Sequence, residues 1–363
     1  MEHYTSIGID VSDKNSKICV MTKAGGQRRI VEELTVPTTR EGFSGGLADK
    51  DRSWPVTFET GVHCRWMKEH IAAMGFRVYV ANPAKLKLLT ESDAKNDRND
   101  ARALARYTLA DVGMLHPVFL RPDSHQRMIR LLEARQVLVR TRTKIINELR
   151  GFAKSMGFRI PRKDASRFHT LDRSAWPADL ESLSWQMFDV LEVIALKIKA
   201  YESQMRKLAD TEEFRQDVGR VRQVVGVGFL CSVAFVAFLG GNYGRFAKAR
   251  DVGPYLGLVP RQDQSGDMNR QLSITKKGSG LLRTLLTECA QTVLKDGVRA
   301  TDLKLKGLRI CERGGSSSRK RAVTAVVRGL AVTMAALLKH PEREYVPLSE
   351  RARELAGQAE VAI

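Results

Sequence analysis

The sequence has 363 residues, with 60 Lys and Arg against 41 Asp and Glu, which gives a formal net charge of +19. So large an excess of positive charge argues against a protein indifferent to polyanions. Hydrophobic residues make up 43% of the chain, which excludes a wholly disordered basic protein and, at this length, predicts two or three folded domains.

Nothing in the sequence directs the chain to a membrane or to an oxidising compartment. The longest apolar stretch, residues 224–239, is shorter than the roughly 20 residues of a membrane span. The first residues lack the basic start and apolar core of a signal peptide. Five separate cysteines without CxxC spacing favour neither a disulfide framework nor a zinc site. We therefore expect a cytoplasmic protein with no membrane partner.

The positive charge is unevenly distributed along the chain. Residues 1–120 hold 17 Lys and Arg against 15 Asp and Glu, whereas residues 121–363 hold 43 against 26. A nearly neutral, carboxylate-containing region joined to a basic one is typical of a metal-dependent catalytic domain joined to a region that binds phosphates. We predict a catalytic domain at residues 1–120, a basic helical connector at 121–215, a C-terminal domain at 216–345 and a tail at 346–363.

The first 120 residues predict three strands followed by alternating helices and strands. Runs of β-branched residues separated by polar turns favour strands at residues 4–11, 16–21 and 30–36. The remaining predicted elements are helices at 41–48, 63–74 and 97–109 and strands at 55–58 and 77–80. The order βββαβαβα is typical of a ribonuclease H-like fold, a mixed sheet flanked by helices. The predicted class is α/β here and mainly α in the rest of the chain.

Long helices are predicted from about residue 122 onwards. One apolar series recurs every seven residues among many arginines, and a second alternates spacings of four and three over three heptads. The first series is Leu131, Leu138, Ile145 and Phe152; the second is Met187, Leu191, Ile194, Ile198, Tyr201, Met205 and Leu208. The second predicts a coiled coil, paired with the basic helix or with another subunit. Residues 151–178 predict a loop or short helices.

Two glycines, Gly226 and Gly228, precede an apolar helix predicted at residues 230–238. Such a pair is typical of a helix-hairpin-helix, whose turn presents backbone amides to a DNA phosphate, although many ordinary helix turns contain it too. Beyond it we expect a polar stretch at 257–280, helices at 281–296 and 321–338, and a frayed tail after His340.

Four carboxylates have the placement of a metal site. Asp10 and Glu59 end predicted strands, and Asp97 and Asp100 open a helix with a spacing that puts both on one face. Converging carboxylates suit Mg²⁺ or Mn²⁺, and two ions about 4 Å apart stabilise both the attacking and the leaving oxygen of phosphodiester cleavage. Singly, Asp10 also fits an Asx turn and Asp97 a helix cap. Because Glu59 follows an apolar strand, we expect it to be buried and hence paired or metal-bound.

These residues resemble a known family. Asp10 in IGID, Glu59 in FETG, and Asp97 and Asp100 in KNDRNDARALA are similar to the DEDD, RuvC-like domain of transposases of the insertion-sequence 110 family. Residues 257–286, GLVPRQDQSGDMNRQLSITKKGSGLLRTLL, resemble that family's second characteristic domain. The resemblance covers residues 5–340. It departs from the family pattern after Glu59, where Thr60 replaces the commoner Ala, and Val62-His63 replaces an aromatic residue.

The resemblance implies a bacterial site-specific DNA recombinase that excises and inserts its own element and is nucleoid-associated when it acts. Its four carboxylates would hold the divalent metal, and Ser265 in RQDQSGD would be the nucleophile that forms a covalent phosphoserine. Without the family, Ser265-Gly266 is interpreted as a surface turn.

The partners that the resemblance implies are nucleic acids and further copies of the chain. They are double-stranded donor and target DNA, a noncoding bridge RNA that pairs with both, and a homo-oligomer, dimer or tetramer, with composite active sites. Residues predicted to contact nucleic acid are Arg127, Arg130, Arg135, Arg142, Lys154, Arg162, Gly226, Gly228, Arg261, Arg270, Lys276, Lys277, Arg283, Arg319 and Lys320. For each of the basic residues, a salt-bridged surface is the alternative.

Three other functions remain open at this point. A structure-specific nuclease such as a Holliday-junction resolvase would use the same carboxylates with water as the nucleophile. An actin-like ATPase or sugar kinase also begins with a Gly-Ile-Asp turn, but no second nucleotide-binding glycine motif follows Arg121. A non-catalytic nucleic-acid-binding scaffold would not need the complete carboxylate set.

Overall fold

The computed structural model describes residues 4–86, 97–265 and 268–348; at 84–85, 97–98, 262–265 and 268–271 it describes the backbone alone. The chain divides into two compact units, Met1–Leu120 and Arg121–Ile363. Each unit is described by itself below.

The first unit is a mixed α/β unit, as the sequence predicts. Its elements are β1 (Tyr4–Asp10), β2 (Asn15–Ala24), β3 (Gln27–Pro37), α1 (Arg40–Gly46), β4 (Val56–Glu59), α2 (Cys64–Ala73), β5 (Val78–Ala81), α3 (Pro83–Leu86) and α4 (Asp97–Ala110). The five strands form one sheet in the order β3-β2-β1-β4-β5. Strand β2 is antiparallel to β1 and β3, whereas β1, β4 and β5 are parallel. The predicted order of elements is confirmed, with the short α3 in addition.

One face of this sheet carries the main core of the first unit. Because successive residues of a strand face opposite sides, Ile7 and Ile9 of β1 point the same way. Both are fully buried in one cluster with Phe58 of β4, Phe43 of α1 and Met67 of α2. The opposite face is covered by α4.

The second unit is mainly helical, again as predicted. Its elements are α5 (Asp123–Ser155), α6 (Ala178–Ala209), α7 (Glu212–Arg222), α8 (Phe229–Leu239), α9 (Val252–Tyr255), β6 (Pro260–Ser265), β7 (Met268–Ile274), α10 (Gly280–Val293), α11 (Asp302–Glu312) and α12 (Ser318–Lys339). Helix α8 lies at the centre of the core, with every residue from Cys231 to Leu239 buried.

Helices α5 and α6 form an antiparallel hairpin within the chain. Ala153 near the end of α5 shares a buried cluster with Leu180 near the start of α6. Further along, Arg135 of α5 donates to Glu202 of α6 over 2.7 Å. The predicted pairing of the second apolar series with the basic helix is therefore confirmed.

The seven-residue series predicted for α5 is wrong at its C-terminal end. Phe152 is 37% exposed, whereas its neighbours Leu149 and Ala153 are buried. A straight α-helix drifts by about 20° per heptad relative to a strict seven-residue repeat. Over the three heptads that start at Leu131, this drift rotates the series out of the interface.

Helix α12 is long and apolar enough, by length and composition, to cross a membrane. Half of its apolar window is nevertheless buried inside the second unit. Val326, Leu330 and Met334 lie in the same core cluster as Leu286 of α10. These contacts are those of a core helix.

Three sequence predictions for the second unit need correction. The polar stretch at residues 257–280 contains the antiparallel hairpin β6–β7, and α11 was not predicted at all. The expected frayed tail is wrong for residues 341–348. There, Tyr345 Oη accepts a hydrogen bond from Val225 N–H, and the Pro347 carbonyl accepts one from Asp302 N–H over 3.0 Å. Residues 349–363 of the predicted tail lie outside the described residues.

Candidate active site

Asp10 and Glu59 end neighbouring parallel strands. The register pairs Ile9 of β1 with Phe58 of β4, so the next residue of each strand stands beside the other. Neighbouring strands lie about 4.8 Å apart. The sheet therefore brings two of the four predicted carboxylates together at its carboxyl edge.

Both carboxylates point toward the side of the sheet that α4 covers. Ile9 and Phe58 are fully buried on the opposite side, and side chains alternate along a strand. Asp10 is half-buried and Glu59 is exposed. The expected burial of Glu59 is therefore wrong, because the strand ends at this residue and its side chain reaches solvent.

Helix α4 lies in direct contact with β1. A Cβ atom at Gly8 would be only 2.1 Å from the carbonyl oxygen of Ala101, so a residue without a side chain is needed for this approach. Two residues earlier, Ser6 Oγ donates to the carbonyl oxygen of Ala105 over 2.8 Å. Small residues on both elements thus hold the helix against the strand.

Two further contacts tie α4 to the sheet. Thr108 Oγ1 donates to Thr57 Oγ1 of β4 over 2.8 Å in the buried layer. Arg102 makes a bidentate pair with Glu33 of β3, with Nε–Oε1 and Nη2–Oε2 distances of 2.6 and 2.8 Å. Such fork-like pairs fix orientation as well as distance. Helix α4 is therefore anchored to β1, β3 and β4.

These contacts set the height of α4 along β1. Ser6 and Gly8 contact Ala105 and Ala101, which are four residues apart on the helix. Two residues of strand cover about 6.6 Å and four residues of helix about 6.0 Å, so the two elements stay in step. Continuing this antiparallel register by one step puts Asp10 level with Asp97, the first residue of α4. Asp100 lies one turn further and is half-buried, whereas the side chain of Asp97 is outside the described part.

The carboxylate edge offers oxygen donors of the kind that Mg²⁺ and Mn²⁺ take. Asp10, Glu59 and Asp100 are the members whose side chains are described. Among the described side chains, no group of three or more His, Cys, Asp or Glu could hold an ion. A complete site along this edge would therefore need Asp97.

His63 is a residue at this edge that the sequence analysis named only as a departure from the family pattern. It follows Glu59 by four residues and occupies the N-cap position of α2. Trp66 Nε1–H donates to His63 Nδ1 over 3.2 Å, which leaves the ring proton on Nε2, 3.4 Å from Asp13 Oδ1. This arrangement fixes the tautomer of a half-buried histidine beside the carboxylates.

Ser265 belongs to the second unit, where it is the last residue of β6. It pairs with Met268 across the tip of the β6–β7 hairpin, so only two residues connect the strands. Gly266, the other residue of the predicted surface turn, lies outside the described residues. The side chain of Ser265 and that of Arg270 in β7 lie outside the described residues.

The predicted phosphate contacts differ in how much of their charge is engaged. Arg135 is paired with Glu202, and burial, followed by the neighbouring charge of Arg135, lowers the pKa of Arg142. Arg130 bonds to Glu133 on its own helix. The other predicted phosphate contacts with exposed side chains are Arg127, Lys154, Arg162, Arg261, Lys276, Lys277, Arg319 and Lys320. Arg135 and Arg142 face α6 and therefore serve the hairpin.

The Gly226–Gly228 turn, predicted to contact a phosphate, packs against α10 on one side. Gly226, with φ +83°, packs against α10, where a Cβ would lie 2.5 Å from Val293 Cγ2. Gly228 N–H is engaged with Cys289 of the same helix, and the thiol hydrogen bond from Cys231 lowers the pKa of Cys289. Gly226 is thus used for packing inside the protein, whereas Gly228 is exposed, and the phosphate contact of this turn stays a prediction.

Comparisons with known proteins agree with both regions. The DEDD transposase model of IS110 type matches residues 7–157, and a model described as transposase of the IS116/IS110/IS902 family matches residues 218–302. A sheet that carries the DEDD positions, followed by this second region, defines a DNA transposase.

The relatives identify the family. The transposase for insertion sequence element IS1111A of Coxiella burnetii is 32% identical over 350 residues, covering 94% of this chain and 92% of the relative. This chain belongs to the IS110 family of insertion-sequence transposases. It is also 28% identical to the transposase of IS1328 from Yersinia enterocolitica over 66% of the chain and 71% of the relative. A probable family 20 transposase of Pseudomonas aeruginosa is 28% identical over 67% and 72%.

Proposed function

We propose that this transposase cuts and rejoins DNA at a RuvC-like site formed by Asp10, Glu59, Asp97 and Asp100. The observation that carries the proposal is the anchoring of α4, which sets the first residue of the helix level with Asp10 on the face of the sheet that Glu59 shares. The strand order and directions agree with a ribonuclease H-like fold. A divalent metal, Mg²⁺ or Mn²⁺, would be held by the four carboxylates and would stabilise charge on the reacting phosphate oxygens.

Ser265 is the proposed nucleophile. Its Oγ attacks a DNA phosphorus, a P–Oγ bond forms, the P–O bond to the leaving strand breaks, and the serine proton ends on the leaving hydroxyl. Attack by a hydroxyl of the other DNA reverses these changes and releases the serine. The phosphodiester energy is kept in the phosphoserine, so the strands are rejoined without an external energy source.

Substitution of Ser265 distinguishes this mechanism from that of a Holliday-junction resolvase. The Ser265→Ala variant should lose both strand joining and the covalent protein–DNA adduct that denaturing gels detect. A resolvase that uses water would keep its hydrolysis. Asp10→Asn should abolish both reactions while DNA binding persists.

The composite active site is tested by mixing inactive subunits. If the carboxylates of one subunit act with Ser265 of another, mixed oligomers of Asp10→Asn and Ser265→Ala chains contain one intact site each and regain strand joining. If each site is formed within one chain, every site in the mixture carries a defect and activity stays absent.

An exposed apolar face of α6 supports the proposal of an oligomer. Leu183, Val190, Val193 and Leu196 are 55%, 47%, 53% and 58% exposed, on the side of α6 away from its buried residues. Leu183 and Val190 are seven residues apart, the repeat of a helix that packs against another helix. A second copy of the chain is the proposed occupant, because the residues facing α5 are already used within the chain.

The proposed guide is a noncoding bridge RNA that pairs with donor and target DNA. The support is the family together with the excess of 17 positive charges in residues 121–363, where Lys and Arg number 43 against 26 Asp and Glu. In such a system base pairing between RNA and DNA recognises the sequence, and the protein contacts the nucleic-acid backbone. The purified transposase should carry a discrete RNA, and full-rate strand joining after removal of that RNA would contradict the guided mechanism.

A further inference from the structure

A groove of about 1260 Å³ runs between α10 and α12 in the second unit. One end lies at the base of the β6–β7 hairpin, beside Ile274 and Lys276. The other end is lined by Lys295 and Arg319. From residue 280 to residue 295, the groove follows α10 for about 22 Å at the rise of an α-helix.

The groove is strongly positive. Five cations line it against the single carboxylate of Glu288. Arg283 is partly engaged, since its Nη1 donates to the carbonyl oxygens of Leu256 and Lys277. Lys295, Arg319 and Lys320 are exposed, and within the described ranges none of these three is paired with a carboxylate. They are therefore available to a phosphate.

The lining favours recognition of a backbone over recognition of bases. Its floor is aliphatic, with Leu258, Val323 and Val327. Among the described lining residues there is no aromatic ring on which a base would stack, which is the usual platform for single-strand bases.

The hairpin that carries Ser265 starts and ends at this groove. Strand β6 begins at Pro260, two residues after Leu258 of the lining, and β7 ends at Ile274, itself a lining residue. The six residues of β6, from Pro260 to Ser265, span about 17 Å, the axial length of about five phosphates of one B-DNA strand.

We propose that this groove, with Lys295, Arg319 and Lys320 at its far end, binds the backbone of the DNA strand on which Ser265 acts. It holds phosphates several nucleotides from the one that is attacked and does so without regard to sequence. This inference rests on the proposed role of Ser265. Lys295 is the member of the set that the sequence analysis did not predict.

The test measures binding of a short, fluorescently labelled single DNA strand and of the RNA of the same sequence to the full-length protein across a salt series. The groove variant combines Lys295→Gln, Arg319→Gln and Lys320→Gln. The matched control combines Lys197→Gln, Lys199→Gln and Lys207→Gln, which remove the same charge from exposed positions of α6. Equal melting temperatures of the two variants establish that both are folded.

The groove variant should bind DNA at least tenfold more weakly at about 0.1 M salt, with the salt slope reduced by about 2 for three lost single-strand contacts. The control should stay within about twofold of the unsubstituted protein. Equal DNA binding by the two variants, or a loss confined to RNA, overturns the inference. The Ser265→Ala variant should bind the DNA strand as tightly as the unsubstituted protein. Strand joining by this variant would contradict the proposed nucleophile and leave the inference about the groove untouched.

Discussion

Gly8 of β1 lies directly beneath the carbonyl oxygen of Ala101 in α4, with a distance of only 2.1 Å between that oxygen and a Cβ built on the glycine. The two backbones are so close that no side chain fits between them. It joins the strand that ends at Asp10 to the helix that begins at Asp97. The contact at Gly8 therefore sets the position of Asp97 along the strand relative to Asp10.

The Gly8→Ala substitution should impair both folding and catalysis. The added methyl group forces α4 away from β1, and overpacking of this kind costs about 1–3 kcal/mol of unfolding free energy. Because Asp97 and Asp100 move with the helix, strand joining should fall by at least tenfold. Urea unfolding and a DNA-joining assay measure the two effects. Gly45→Ala in α1 is the control, since nothing lies within 4 Å of its added Cβ; equal activity of the two variants would contradict the role of Gly8.

Glu202 should stabilise the α5–α6 hairpin because it neutralises an arginine inside it. Its Oε1 accepts from Arg135 Nε over 2.7 Å, and the side chains are 19% and 30% exposed for Arg135 and Glu202. Glu202→Ala leaves Arg135 unpaired next to Arg142, at a cost of about 1–3 kcal/mol in chemical denaturation. Removing Glu133, the exposed partner of Arg130 on the same helix, should cost less than about 0.5 kcal/mol. Similar losses in the two variants would count against a structural role of the Arg135 pair.

The stability of the second unit should fall as the pH drops below about 6.5, the ordinary pKa of histidine. His125 is buried, its Nε2 has no hydrogen-bond partner among the described residues, and burial lowers its pKa despite the nearby carboxylate of Glu213. Since the folded state then binds fewer protons than the unfolded one, its stability is retained above the unfolded pKa and lost below it, by up to about 1.4 kcal/mol per pH unit.

Urea unfolding at neutral and mildly acidic pH measures this dependence. His125→Phe, which keeps a ring against Phe214 at the present centroid distance of 4.6 Å, should flatten the decline. His169→Gln, outside this cluster, is the control and should keep it. An unchanged decline in His125→Phe would assign the pH dependence to another group.

Charges on the exposed face of α6 should dissociate the oligomer. Val190→Glu together with Val193→Glu introduces two carboxylates where a second helix would pack, and their desolvation opposes association. Sedimentation equilibrium should then report a smaller mass for the double variant. Gln216→Glu in α7 together with Gln223→Glu just after it, both at exposed positions, is the control for added negative charge. An unchanged mass of the Val190–Val193 variant would exclude this face as the interface.

Much of the first unit was predictable because its signals are local. Runs of β-branched residues gave strands whose ends agree with the structure within a few residues, and the carboxylates Asp10 and Glu59 fall at strand ends as expected. The partners of α4 were not predictable. Ser6, Thr57 and Glu33 look like ordinary strand residues until the helix packs on them.

In the second unit, the sequence did not predict contacts that depend on how the helices pack. Gly226 permits a close approach of the backbone, and only the position of α10 shows that its neighbour is Val293. The basic character of Arg135 was visible, but its pairing with Glu202 depends on residues 67 positions apart meeting across the hairpin.

The sequence by itself determined the family and the order of elements in the first unit, because motif, periodicity and composition are properties of neighbouring residues. The tertiary structure decided which cations are engaged, which face of α6 stays exposed and how α4 is set against β1. Those outcomes depend on contacts between residues distant in the chain, where burial and close packing determine whether a charge is paired, a glycine is needed or an apolar face is left uncovered.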